Sequence, residues 1–144
     1  MTDSHLKIFV MKINIQRLNH VQICVPFGQE ERARQFYGGL LGLEEIEKPE
    51  VLKKNGGLWY KIADIQLHVG VEDMGDRASK RHPGFEVENV SEVRAYLEGN
   101  GVRVKDEPSL PGVERFSFFD PFGNRIELLE NTARAVIESA ATSQ

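Results

Sequence analysis

The sequence predicts an α+β fold made of two βαβββ modules. Each is a curved four-stranded sheet with a helix on its outer face, and together they form a central trough. Three observations carry this. The order strand, helix, three strands is written twice. A glycine stops each helix, Gly42 and Gly101, 59 residues apart (from 42 to 101). Each half opens on a strand with a histidine, His20 and His82, 62 residues apart (from 20 to 82). Two copies at so long a period make a paired module rather than a solenoid.

The first module runs over about 17–71. Residues 18–26, "LNHVQICVP", alternate and stop at a proline, as a strand does. Residues 28–42 carry Ala33, Phe36, Tyr37, Leu40 and Leu41 at helical spacing, with Gly42 where a C-terminal glycine belongs. A short strand follows over 43–48. Residues 57–64 and 65–71 read as a hairpin turning near Ala63 and Asp64. The charged, aperiodic stretch 72–81 is a linker. The second module, about 82–131, repeats the order: a strand over 82–88, a helix over 91–101 with Ser91 as N-cap, a short strand over 102–106, and a hairpin of 112–120 with 124–130. "DPFGN" (120–124) supplies its turn chemistry. Residues 1–16 read as an N-terminal extension, since Met11 opens a natural-looking start, and 132–144 as a C-terminal tail.

The chain has 144 residues, 40% hydrophobic and 28% charged, which suits one globular domain with a real core. A net charge of −4 with both signs interspersed argues against a nucleic-acid partner. No apolar run approaches the roughly 20 residues of a membrane span. The N-terminus lacks signal-peptide order, and Cys24 is alone. The expected compartment is therefore the cytoplasm.

Strand parity locates the chemistry. Val21, Ile23 and Val25 oppose His20, Gln22 and Cys24. Ile65, Leu67 and Val69 oppose Gln66, His68 and Gly70. Pro83, Phe85 and Val87 oppose His82, Gly84 and Glu86. Ile126 and Leu128 oppose Arg125, Glu127 and Leu129. Each strand has one apolar face to pack under a helix, and an opposite face with groups that bind metals or move protons. A shared trough would gather His20, His68, His82 and Glu127, a donor set for a divalent metal with room for substrate. Gln66 and His68 point the same way, so spacing leaves both open as the fourth position. Trp59, Tyr60, Phe116 and Phe118 read as core or pocket wall. Arg115 and Arg125 suit an anionic substrate, though surface ion pairs are the commoner fate of such residues.

The string "LNHVQI … FYGGLLGLEE … HPGFEVENV … DPFGNRIELLE" resembles the vicinal oxygen chelate superfamily of glyoxalases, bleomycin-resistance proteins and extradiol dioxygenases. The resemblance covers about 17–131. It implies a small oxygenated substrate chelated by a divalent ion (Zn, Ni, Fe, Mn or Mg) held by His20, His82 and Glu127, with His68 or Gln66 beside them. It implies Glu127 as the catalytic carboxylate, Gln66, Trp59 and Arg115 as substrate contacts, and a homodimer. Gln66 falls where glyoxalase I enzymes carry a glutamate, which counts against lactoylglutathione lyase activity. The alternative it implies is a metal-free protein that sequesters a small molecule.

Overall fold

The computed structural model describes residues 10–75 and 79–132. Strand β1 (His20–Val25) leads to helix α1 (Glu30–Arg34), whose last turns widen to a π-helix over Gln35–Leu40. Then come β2 (Glu44–Ile46), a 3-10 helix (Glu50–Asn55), β3 (Leu58–Ile62) and β4 (Ile65–Val71). The order recurs as β5 (Gly84–Glu86), α2 (Val90–Gly99), β6 (Val104–Asp106), β7 (Val113–Phe119) and β8 (Arg125–Asn131). The sheets run β1-β4-β3-β2 and β5-β8-β7-β6, each with one parallel pair, β1 with β4 and β5 with β8, and two antiparallel pairs.

The predicted turns form for the expected reasons. Gly42 and Gly101 take left-handed backbone at φ 69° and 78°, which a residue with a Cβ adopts only under strain. Three details differ from the sequence reading. Helix α2 begins at Val90, so its N-cap is Asn89 in a left-handed conformation; Ser91 lies inside the first turn. The ladder of the second module opens at Gly84, leaving His82 and Pro83 ahead of it, because proline has no N–H to give and only its carbonyl joins, accepting from Glu127 N at 3.0 Å. The 3-10 helix before β3 carries no periodic signal. The apolar stripe expected in the tail (Ala135, Val136, Ala140, Ala141) and the first nine residues lie outside the described residues.

The apolar strand faces turn toward one shared core. Val25, Leu67, Val69, Phe116, Phe118, Ile126 and Leu128 are buried there with Ala33, Phe36, Tyr37 and Leu97 from the helices. Helix α1 touches both sheets: Phe36 meets Phe118 with ring centroids 6.2 Å apart, and Tyr37 meets Tyr60 at 6.2 Å. The π-helical widening places Phe36 and Tyr37 side by side in the core.

A buried carboxylate ties the modules together. Asp120 Oδ2 accepts from the Tyr37 hydroxyl at 2.6 Å and from Asn124 Nδ2 at 2.8 Å. Its Oδ1 accepts from the Phe122 and Asn124 amides at 2.9 and 2.8 Å. Asn124 Nδ2 also donates to the Cys24 carbonyl at 2.7 Å, so the "DPFGN" turn holds β1 directly. Burial and the Asp120 carboxylate beside it push the Tyr37 hydroxyl well above its ordinary pKa, so it stays a donor. Asp120→Ala should lower the unfolding free energy by roughly 2–4 kcal/mol, and Tyr37→Phe by about 1–2 kcal/mol. Urea denaturation checks both; a loss below about 0.5 kcal/mol for Asp120→Ala would contradict the clamp.

Candidate functional site

With the apolar faces inward, the polar face of each sheet looks away from the core. Over the first sheet lies a depression of about 700 Å³ lined by His20, Gln22, Lys48, Trp59, Gln66 and His68 among others, all from the first module. Its floor is a column of three flat rings. Trp59 stacks on His68 at 3.9 Å with an interplanar angle of 1°, and His68 stacks on His20 at 4.2 Å and 15°. The column exists because Trp59 and His68 are cross-strand partners, and His20 lies on the neighbouring strand two residues before Gln22, the partner of His68. Gly70 keeps the floor open: a Cβ there would come within 2.6 Å of Gln22 Nε2.

The ring nitrogens are sorted by their partners. His20 Nδ1 faces the Asn19 side-chain oxygen at 3.0 Å, and His82 Nδ1 faces the Lys80 carbonyl at 2.8 Å. His68 Nε2 faces Gln66 Oε1 at 2.9 Å. Facing oxygen acceptors, these nitrogens are the ones placed to donate an N–H. His68 is 7% exposed; burial first, then the positive potential of His20 and Lys48, lowers its pKa below the ordinary 6.5.

On the second sheet the polar face is a network of paired charges. Arg115 Nη1 donates to Glu127 Oε1 at 2.6 Å, with both side chains largely buried. Arg125 pairs with Glu107, which also accepts from Ser117 Oγ at 2.7 Å. The hydroxyl, then the guanidinium, hold the Glu107 carboxyl below its ordinary range. Both arginines are thus in largely buried ion pairs, where the sequence reading favoured surface pairs. Ser117 alternates with Phe116 and Phe118 and its direction was readable from parity. Glu107 sits just past β6, where no period applies. Lys48 and Gln22, also in the first depression, had no motif to mark them.

Of the expected site residues, His20, His68, Gln66 and Trp59 come together on one sheet, and Glu127 and Arg115 on the other. His82 is exposed at the entry to β5. Among the described residues of one chain, no three histidine, cysteine or acidic side chains converge as a metal site would require. Register nevertheless makes the halves equivalent. In the first module His68 is level with Gln22, two residues after His20; in the second Glu127 is level with Gly84, two residues after His82. Gln66 and Glu127 each open the parallel ladder of their sheet, level with His20 and Gly84, and donate N–H to the carbonyl before that partner, Asn19 and Pro83; His68 lies two residues past Gln66.

Two sheets of this order, each with a histidine before or at its parallel edge strand and a donor on the next strand, define a paired βαβββ protein. The profile of the Glyoxalase/Bleomycin resistance protein/Dioxygenase superfamily matches residues 17–128, and the chain belongs to that family. A Bacillus anthracis protein described as belonging to the glyoxalase family is 47% identical, at a TM-score of 0.78 over 84% of this chain and 99% of that one. The fosfomycin resistance protein FosX of Listeria monocytogenes shares the fold at 21% identity and a TM-score of 0.66, over 84% of this chain and 98% of that one. The antibiotic-binding protein TnmS3 of Streptomyces sp. CB03234 shares it at 24% identity and 0.63, over 83% and 99%. Among curated proteins none matches the chain. No helix among the described residues is long and apolar enough to cross a membrane.

The shifted histidine gives a pH prediction. The unfolded chain binds the His68 proton more tightly than the folded one, so this group costs stability as pH falls below about 6.5. Histidine NMR should place the His68 midpoint below 6.5, and Trp59→Ala should raise it by restoring water to the ring. A wild-type midpoint at or above 6.5 would contradict the burial argument.

Proposed function

We propose that the protein is a metal-dependent enzyme acting on a small oxygenated molecule. It works as a homodimer in which each site joins the first module of one chain to the second module of its partner. The single observation behind this is the sorting of the ring nitrogens. His20, His68 and His82 each turn one ring nitrogen to an oxygen acceptor, which would leave the other nitrogen for an ion. Glu127, level with Gly84 on the second sheet, would add a fourth, anionic donor. Three imidazoles and a carboxylate suit zinc, nickel, iron or manganese better than magnesium. Because one chain gathers only half of these donors, a second chain has to supply the rest. Strands β1 and β5 end their sheets, and pairing between chains would cover those edges.

When bound, the ion would polarise vicinal oxygens of the substrate and stabilise the anion formed from them. The remaining work falls to side chains. Trp59 offers a flat apolar wall and Gln66 an amide for orienting a polar group. Glu127 is the one carboxylate among the donors and the group able to accept a proton from substrate carbon or water. Arg115 is the cation beside it. Water exclusion comes from the facing sheets once the halves meet.

A metal-free sequestering protein is the second reading. It is favoured by the Arg115–Glu127 ion pair, which neutralises the carboxylate without an ion.

Subunit mixing separates the readings. Chains carrying His20→Ala and chains carrying His82→Ala should each hold almost no nickel or zinc. A mixed dimer should regain one intact site, read as about one ion per mixed dimer by elemental analysis. Equal loss in the mixture would place the donors within one chain. Absence of metal in the wild type after divalent ions are supplied would leave the sequestering reading.

A further inference from the structure

We infer that the depression over the first sheet binds the carboxylate of a small organic acid, with Lys48 as the residue that holds its charge. This deepens the reading above, since the depression is the first module's half of the proposed site. The chain as a whole is acidic, with 22 aspartates and glutamates and a net charge of −4. Yet none of the described residues lining the depression is a carboxylate. Lys48 is the ammonium among them. Its Nζ donates to the Gly56 carbonyl and makes no ion pair with a described residue. The nearby Lys53 differs, being held by Glu47 and Glu50 at 2.6 and 2.8 Å. One unspent ammonium matches one negative charge, which a carboxylate carries.

The ring column makes the floor attractive to the same charge. Trp59, His68 and His20 stand on the adjacent strands β3, β4 and β1. Trp59 covers one face of His68 and His20 covers the other. His68 lines the depression, so what it turns there is its edge. An aromatic ring is negative over its face and positive at its edge. The negative faces of His68 are spent inside the column, and a ligand meets the positive edge. A cation, which seeks a ring face, finds none on His68. After burial, the positive potential of His20 and Lys48 is what lowers the His68 pKa, so these charges are felt at the floor itself.

Two amides add donors. The Asn55 side chain has no hydrogen bond to a described residue, and Gln22 Nε2 has only the Cys24 sulfur at 3.9 Å. On the second sheet the cations are already engaged, Arg115 by Glu127 and Arg125 by Glu107. The charge of an acid is therefore met on the first sheet.

Trp59 is the chain's one tryptophan, so its fluorescence reports on this depression. The test titrates the full-length protein, first with EDTA and then with nickel, with benzoate, benzamide and benzamidine. The three share a shape and carry negative, zero and positive charge. With EDTA present, benzoate should change the fluorescence saturably and bind about tenfold more tightly than benzamide, with benzamidine weakest. K48Q should lower the benzoate affinity about tenfold and leave benzamide unchanged, and K48R should restore most of the loss. Equal binding of benzoate and benzamide, tighter binding of benzamidine, or no benzoate response would overturn the inference on the wild type alone. Full benzoate affinity in K48Q would overturn it too. Benzoate binding that appears only with nickel would overturn it and leave the metal reading standing. Benzoate selectivity lost in K48Q, in a protein that takes up no nickel, would uphold it and leave the sequestering reading.

Discussion

The Asp120 carboxylate is the constraint on which the arrangement depends. Its two oxygens accept four bonds, from a tyrosine on the first module's helix and from the turn of its own hairpin. Asn124, oriented by that carboxylate, reaches the carbonyl of Cys24 on β1. The two sheets are fixed with their apolar faces toward a common core, and their polar faces are turned away from it. Every functional consequence follows from this direction. Among the described residues of one chain no three candidate donors converge, and the proposed site would take half of its donors from each of two chains. Inside a low-dielectric core such a network stabilises only because it is fully satisfied.

The polar faces differ in how their charge is handled. The first stacks Trp59, His68 and His20, with the His68 pKa lowered by burial and by the positive potential of His20 and Lys48. The second keeps two carboxylates and two arginines in pairs. Facing each other, they would bring lone pairs on one side to an oriented carboxylate on the other.

Much of the fold was legible because period and punctuation agreed. Val21, Ile23 and Val25 alternate, Gly42 and Gly101 stop helices, and "DPFGN" turns the last hairpin, each for a local physical reason. The start of α2 was misplaced by one residue because Asn89 enters the helix from a left-handed conformation, which a cap motif does not reveal. His82 sits outside its strand because Pro83 cannot donate to the ladder. Parity leaves Gln66 and His68 both open, since they share a face; register sets Gln66 level with His20 and His68 level with Gln22. The Arg115–Glu127 and Arg125–Glu107 pairs are tertiary and left no periodic trace.

X-ray absorption by the nickel-loaded, full-length protein tests the central claim most directly. The account predicts a first shell of nitrogen and oxygen only, with scattering from about three imidazoles, as His20 and His68 of one chain meet His82 and Glu127 of the other. A shell with one imidazole or none, or one containing sulfur from Cys24, would contradict it.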